Sequence, residues 1–297
     1  MQCIRIPLGQ VKAMYLYLIL GVTALTITAQ DIFKKKFNQK TDKGAILFGG
    51  MIALFAMLFF TAVNDDWSYQ PRQLGYSFLF AVCYATTTLC AILAIKHGSL
   101  AKTSLVVSCS LLVPSLYGML FLGEPVGWML ILGTVALIVS LILINYEKAP
   151  APATVRWYLL VALAFIGNGM CSTVQKLQQI RFGETGKNTF MIVALAMVTV
   201  ILVVASIFSR EERESGRETL KKGWLFAALC GVLNGLCNYL VLYLNPLLPA
   251  SVMFPVISAG SVVMVFIYAT VFQHERFNTR QLIGYGLGVL SIILLNL

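Results

Sequence analysis

Charged residues are scarce in this sequence, with 22 Lys and Arg and 12 Asp and Glu spread over 297 residues. An ordinary globular chain has about a quarter of its residues charged, because its surface faces water. Here 11% are charged and 59% are apolar. This composition excludes an ordinary soluble protein and indicates a chain that lies largely in lipid.

Motifs for metal binding and catalysis are also lacking. The seven cysteines form no CxxC pair, and six of them lie in apolar runs, where cysteine acts as a small hydrophobic residue. The two histidines, His97 and His274, stand at loop edges, and the sequence has no HExxH or GxSxG motif. We therefore expect no metal, no cofactor and no enzyme activity.

Ten apolar runs have the length of a membrane-spanning helix, about 20 residues. The predicted helices cover residues 14–32, 44–63, 74–95, 100–121, 126–145, 158–175, 188–208, 223–244, 250–272 and 281–296. The four tryptophans fall at predicted helix ends, as is typical of rings at the lipid headgroups. The sequence predicts an all-α, multi-pass protein of the cell (cytoplasmic) membrane, with the lipid bilayer and no nucleic acid as its partner.

The second half of the chain repeats the first. When Glu124 is aligned with Glu275, Gly133 falls on Gly284, and AVCYATTTLC upstream of Glu124 matches ALCGVLNGLC upstream of Glu275. Five helices per repeat is an odd number, so the second repeat must enter the membrane from the opposite side, as in many carriers. We predict an N-terminal extension (1–13), a first five-helix repeat (14–146), a linker (147–156) and a second five-helix repeat (157–297).

The motif FLGEP at 121–125 with Gly133, its counterpart QHERF with Gly284, and the ten-helix plan resemble the drug/metabolite transporter superfamily in its EamA-like branch. The resemblance covers essentially the whole chain. It implies a carrier of a small molecule, with a central cavity lined by helices 1, 3 and 4 of the first repeat and 6, 8 and 9 of the second. We interpret Glu124 and Glu275 as boundary residues that cap the helices following them.

The distribution of basic residues predicts an orientation. Sixteen of the 22 Lys and Arg lie in or beside the connections between helices 1 and 2, 3 and 4, 5 and 6, 7 and 8, and 9 and 10. The positive-inside rule places these connections in the cytoplasm and both termini outside it. The resemblance implies the opposite, with both termini in the cytoplasm, and both orientations stay open.

Polar side chains within the predicted helices are the candidate substrate-binding groups, because placing them in lipid is costly. The set comprises Tyr84, Thr87, Ser108, Tyr117, Asn168, Ser172, Gln175, Asn234, Asn238, Tyr239 and Ser258. Asn234 and Asn238 are four residues apart and share a helix face. The alternative for each hydroxyl is a bond that ties helices together or returns to its own backbone. A polar but largely uncharged cavity favours neutral or zwitterionic metabolites, such as amino acids.

A proton-coupled exporter of cationic drugs or quaternary ammonium compounds is the alternative function. Small multidrug members of the superfamily carry a Glu in the middle of the first helix, whereas helix 1 here has none, and Asp31 is the nearest substitute as a coupling residue. Because Asp31 precedes three lysines, an interfacial ion pair is its other interpretation. A channel or an intramembrane enzyme would belong to a different class, and the inverted duplication argues for a carrier instead. A homodimer stays open.

Overall fold

The structure, a computed structural model, describes residues 8–41, 43–97, 107, 109–124, 126–144, 155–272 and 278–295. The helices are α1 (Leu8–Lys40), α2 (Ala45–Ala62), α3 (Gln73–His97), α4 (Leu112–Phe121, after a 3-10 turn at Cys109–Leu111), α5 (Trp128–Ile144), α6 (Val155–Phe182), α7 (Lys187–Phe208), α8 (Arg210–Leu244), α9 (Ala250–Phe272) and α10 (Thr279–Leu295). Six of these are long and apolar enough to cross a membrane. The prediction of an all-α membrane fold is confirmed, with no strand in the described ranges.

Two of the predicted charged loops are helical. Residues 34–40 continue α1, and residues 210–222 form the first turns of α8. Lys, Arg and Glu are good helix formers, and Lys222 pairs with Glu218 one turn earlier at 2.5 Å. In α1, the Phe37 ring is 1% exposed and stacks on a phenylalanine ring of α2 at 3.7 Å. Both helices therefore continue beyond their apolar spans.

The predicted repeat boundaries can be compared with the structure at only a few described positions. Helix α1 begins at Leu8, inside the predicted N-terminal extension, while its apolar stretch begins at Met14 as predicted. The predicted linker lies outside the described residues except for Val155 and Arg156, which begin α6. The structure describes predicted helix 4 continuously only from Cys109 onwards.

The packing of the helices has twofold symmetry. Helix α1 packs against α8 and α9, and α6 packs in the same way against α3 and α4. Exchanging each helix with its counterpart five positions along the chain converts one set into the other. The pairs α2 with α7, α4 with α9 and α5 with α10 map onto themselves. This is the arrangement of two inverted five-helix repeats. We call the first set the α1 bundle (α1, α8 and α9) and the second the α6 bundle (α3, α4 and α6).

Glycines allow the helices to approach closely. A Cβ added at Gly231 of α8 would lie 2.7 Å from the Ile52 carbonyl oxygen of α2. A Cβ added at Gly167 of α6 would lie 2.9 Å from the Cys83 carbonyl oxygen of α3. Because any larger residue would push these backbones apart, the glycines fix the helix positions that the candidate site depends on.

Candidate functional site

Four amide side chains form a connected network inside the membrane-spanning helices. The Asn234 amide donates to Gln30 Oε1 at 3.1 Å, linking α8 to α1. The Asn238 amide donates to Asn234 Oδ1 at 3.2 Å and to the Asn234 carbonyl at 2.9 Å. The Gln175 amide of α6 donates to Asn238 Oδ1 at 2.7 Å. The network therefore connects the two bundles and the two repeats.

The two ends of this amide network are buried, and its middle is not. Gln30 is 4% exposed and Gln175 is 2% exposed, whereas Asn234 and Asn238 are half-buried. Each side-chain amide offers two N–H donors and an oxygen with two lone pairs. The buried glutamines hold the asparagines in place. The Asn234 amide has one further N–H, and both asparagine oxygens have a further lone pair, so the pair can bind a polar solute without supplying a net charge.

Beyond the network, two further α6 side chains bond to backbone carbonyls at the end of α8 and in the turn that follows it. The Gln179 amide donates to the Leu242 carbonyl at 2.6 Å. Lys176 Nζ donates to the carbonyls of Asn245 at 2.6 Å and Leu248 at 2.9 Å. Leu242 and Asn245 lie at the C-terminus of α8, where carbonyls lack partners within the helix and carry partial negative charge, so these donors stabilise them. We call these contacts of Lys176 and Gln179 the α6–α8 ladder.

Glu124 caps the N-terminus of α9. Its carboxylate accepts hydrogen bonds from the backbone N–H groups of Ala250 and Ser251, both at 2.8 Å, and lies 3.9 Å from Lys176 Nζ. A Cβ added at Gly118 would overlap the carboxylate. The sequence-based prediction that Glu124 caps the following helix, α5, is wrong. Because α4 packs on α9, the helix N-terminus that Glu124 reaches belongs to the other repeat.

We call the end of the helices at which Glu124 lies the Glu124 face. Side-chain hydrogen bonds join the two bundles from the amide network to this face. The Ser115 hydroxyl of α4 adds a bond to the Ser251 carbonyl of α9 at 3.2 Å. At the opposite end, the basic face, Glu212 of α8 accepts from the backbone N–H groups of Ile46 at 3.3 Å and Leu47 at 3.1 Å in α2. That contact holds α8 to α2 and does not bridge the bundles.

Comparison with known proteins gives the family. The model of the EamA-like transporter family matches residues 12–146 and, a second time, residues 155–297. The chain belongs to the EamA-like transporter family. The two matches coincide with the two halves of the chain, so the resemblance drawn from the sequence is confirmed. The chain is thus a multi-pass member of a family of membrane transporters.

Solved structures share the fold of this family member. One protein crystal structure, among 28 matching chains, aligns with a TM-score of 0.77 over 95% of this chain and 96% of that chain. The two sequences are 12% identical, so the likeness shows the fold alone. No curated protein sequence matches the chain.

Three of the residues predicted for this EamA-like transporter meet in the amide network: Gln175, Asn234 and Asn238. Asn168 lies apart from them in the structure. Its amide donates to the Ser110 hydroxyl at 2.5 Å and so ties α6 to the 3-10 turn before α4. A role of these side chains in substrate binding stays a prediction.

The other predicted hydroxyl groups are placed differently. The Thr87 hydroxyl bonds to the Cys83 carbonyl of its own helix at 2.9 Å and approaches the Ala164 carbonyl of α6 at 3.4 Å. This is the helix-tying role named as the alternative above. Ser172 is half-buried on α6 and Ser258 is buried on α9. Ser108 lies outside the described residues.

Each of the three predicted tyrosines has its ring near the ring of a different phenylalanine. The ring centroids are 5.0 to 6.4 Å apart in the pairs Tyr117–Phe121, Tyr84–Phe80 and Tyr239–Phe59. Asp31, the predicted coupling residue, has a 58% exposed side chain and forms an ion pair with Lys34 at 3.1 Å. A role of Asp31 in coupling stays a prediction.

Sequence reasoning missed two residues of the site in this transporter. Gln30 stands near the end of predicted helix 1, but Thr23, Thr26 and Gln30 follow helical spacing and mark one polar face, a signal that could have found it. Lys176 was placed just past the end of predicted helix 6. It lies inside α6, because that helix continues to Phe182.

Proposed function

We propose that this transporter is a carrier that moves a small neutral or zwitterionic organic metabolite, with amino-acid-like solutes favoured, across the cytoplasmic membrane. The carrier works by alternating access around a cavity between the two repeats. The observation that supports this proposal is the amide network of Gln30, Asn234, Asn238 and Gln175, which joins both bundles without a charged side chain.

The chemistry of the amides fits a zwitterion. A carboxylate of the solute can accept the second N–H of Asn234, and its ammonium group can donate to the side-chain oxygens of Asn234 and Asn238. A solute with net charge would need an opposite charge beside it, because an unpaired charge in the membrane interior is costly. Asp31 offers little support for a cationic substrate, since it is exposed and paired with Lys34.

The bonds at the Glu124 face support alternating access. The Gln175 to Asn238 bond, the α6–α8 ladder and the Glu124 cap all cross from the α6 bundle to the α1 bundle. If the bundles part at this face, these bonds break and the amide network gains a path to that side of the membrane. The described conformation is the one in which these bonds are formed.

Binding is tested first by a ligand thermal-shift screen of the purified chain with amino acids, other neutral metabolites and quaternary ammonium compounds. Counterflow into proteoliposomes then measures transport of any hit. Loss of one hydrogen bond to a charged solute group costs about 1.5–3 kcal/mol. We therefore expect Asn238→Ala to raise KM by roughly 10- to 100-fold.

The matched control is Thr199→Val, because the Thr199 hydroxyl bonds to the Leu195 carbonyl of its own helix at 2.8 Å. Unchanged transport in both Asn234→Ala and Asn238→Ala would refute the site. Proton-dependent uptake of quaternary ammonium compounds would favour the cationic-drug exporter. Conductance that does not saturate would indicate a channel.

A further inference from the structure

The longest helices extend from the membrane on the basic face. Helices α1 and α8 have 33 and 35 residues. At about 1.5 Å per residue they are roughly 50 Å long, whereas the hydrocarbon core is about 30 Å thick. Their charged ends lie side by side because α1 packs along α8. The two helices therefore form a surface at the level of the lipid headgroups.

A groove of about 490 Å³ lies between these helix ends. Its lining consists of Lys40, Lys221, Lys222, Trp224, Leu225 and Phe226. Lys40, the last residue of α1, holds its Nζ atom 4.9 Å from the centroid of the Phe226 ring of α8. This cation–π contact positions an ammonium group of α1 over a groove formed mainly by α8.

The groove is lined by both cationic and apolar side chains. The charged first segment of α8 ends at Lys222, and the apolar segment begins at Trp224. Trp224 is 54% exposed and Leu225 is 50% exposed, so both present apolar surface outward. Tryptophan prefers the headgroup level of a bilayer, which places this boundary at the membrane surface. A ligand that fills the whole groove must itself be amphipathic.

Positive charge is in excess in this groove. Lys222 forms an ion pair with Glu218, and Lys40 and Lys221 add two further cations. The neighbouring cavity of about 380 Å³ differs, because its lining includes two carboxylates, Glu214 and Glu218.

We propose that the groove binds an anionic phospholipid, with its headgroup phosphate between Lys40 and Lys221. The glycerol and the start of the acyl chains then lie along Trp224 and Leu225. A free phosphate ion would use the lysines and leave the apolar side chains of the groove uncovered. Clusters of Lys at the membrane surface attract anionic lipids in this way. The lipid bridges α1 and α8, two helices of the same bundle.

Native mass spectrometry of the purified full-length chain tests this proposal with cardiolipin, phosphatidylglycerol and phosphatidylcholine as probes. The double variant Lys40→Gln/Lys221→Gln removes two cations from the groove. We expect it to bind both anionic lipids roughly 10- to 30-fold more weakly, with phosphatidylcholine unaffected. The matched control is Arg156→Gln/Arg213→Gln, two exposed basic residues outside the groove, which should bind lipid like the parent.

Equal weakening in the control variant would show attraction to surface charge in general and overturn the proposal. Displacement of the lipid by millimolar inorganic phosphate would also overturn it, since the site would then take a soluble anion. The single variant Lys221→Glu provides a second measurement if the double variant is unstable. It should weaken binding of the anionic lipids alone.

Discussion

Removal of the Glu124 carboxylate tests whether the contacts at the Glu124 face close the transporter. In Glu124→Ala, the N–H groups of Ala250 and Ser251 lose an ionised acceptor at 2.8 Å. Loss of a helix N-cap costs about 0.5–2 kcal/mol, and each hydrogen bond to a charged group contributes about 1.5–3 kcal/mol. Water can replace part of the bonding at a helix end. We therefore expect Glu124→Ala to destabilise the capped conformation by about 2–4 kcal/mol.

A milder substitution provides a graded comparison. Glu124→Gln keeps the shape of the side chain but has one acceptor oxygen, so it can satisfy one of the two N–H groups well. We expect about half the effect of the alanine variant, roughly 1–2 kcal/mol. The matched control is Glu184→Ala, which removes an exposed carboxylate that pairs with Lys187. An exposed pair contributes about 0–1 kcal/mol, so this control should resemble the parent.

The decisive measurement is access to the amide network. If the cap exists only in the conformation closed at the Glu124 face, a loss of about 2 kcal/mol shifts the equilibrium roughly 30-fold toward the open one. The assay uses Asn238→Cys in a background without native cysteines, labelled by a membrane-impermeant maleimide in vesicles of each orientation. Glu124→Ala should speed labelling from the Glu124 side, and Glu184→Ala should not. Lower thermal stability without faster labelling would refute the reasoning, since the cap would then support only the fold.

Four further predictions concern two loop residues, the orientation in the membrane and Asp31. Hydrogen bonds from Ser68 and Gly186 lower the pKa of Asp66. These bonds therefore stabilise the fold above about pH 4, and this stabilisation is lost as the pH falls through the lowered pKa. Asp66→Asn should remove this acid dependence from thermal melts. Gly186→Ala should lower stability by about 1–2 kcal/mol or more, because φ is +66° and a Cβ would overlap the Ser68 carbonyl. Reporter fusions at the termini should place the basic face in the cytoplasm, and a cytoplasmic C-terminal reporter would contradict the charge bias. Transport by Asp31→Asn should equal that of the parent, since the exposed pair with Lys34 leaves Asp31 outside the amide network; loss of proton dependence in this variant would contradict that expectation.

The parts of the structure that depend on local pattern could be predicted from the sequence. Apolar runs of membrane length gave the ten helices, and the match of Glu124 with Glu275 gave the duplication. The pair Asn234 and Asn238 stood out because amides four residues apart share a face in an otherwise apolar helix. Each of these signals lies within one segment or in a comparison of two segments.

Contacts between distant segments could not be predicted in this way. Glu124 caps α9, a helix of the other repeat, because α4 packs on α9. The bond from Asn234 to Gln30 likewise depends on the crossing of α8 and α1. The many charges of segment 210–222 favour a solvated loop. Only its oppositely charged pairs four residues apart, such as Glu218 with Lys222, indicate the helix.

The duplication predicted which positions contact the opposite repeat, but not which side-chain bonds form there. Asn234 aligns with Thr87, and both side chains contact the first helix of the opposite repeat. Thr87 reaches only the backbone carbonyl of Ala164, whereas Asn234 meets the amide of Gln30. Equivalent positions thus tie the helices together in both halves, while the bonded pair of polar side chains occurs at the Asn234 position.

The two carboxylate caps have a consequence for synthesis of the protein on the ribosome. Glu212 caps α2 from a position 166 residues further along the chain, and Glu124 caps α9 from 126 residues earlier. The N–H groups at the start of α2 therefore lack their acceptor until α6, α7 and the start of α8 have been translated. A first half expressed alone lacks that acceptor, and a second half expressed alone lacks the carboxylate at α9. We expect neither half to form a stable protein, and the halves to need co-expression to assemble.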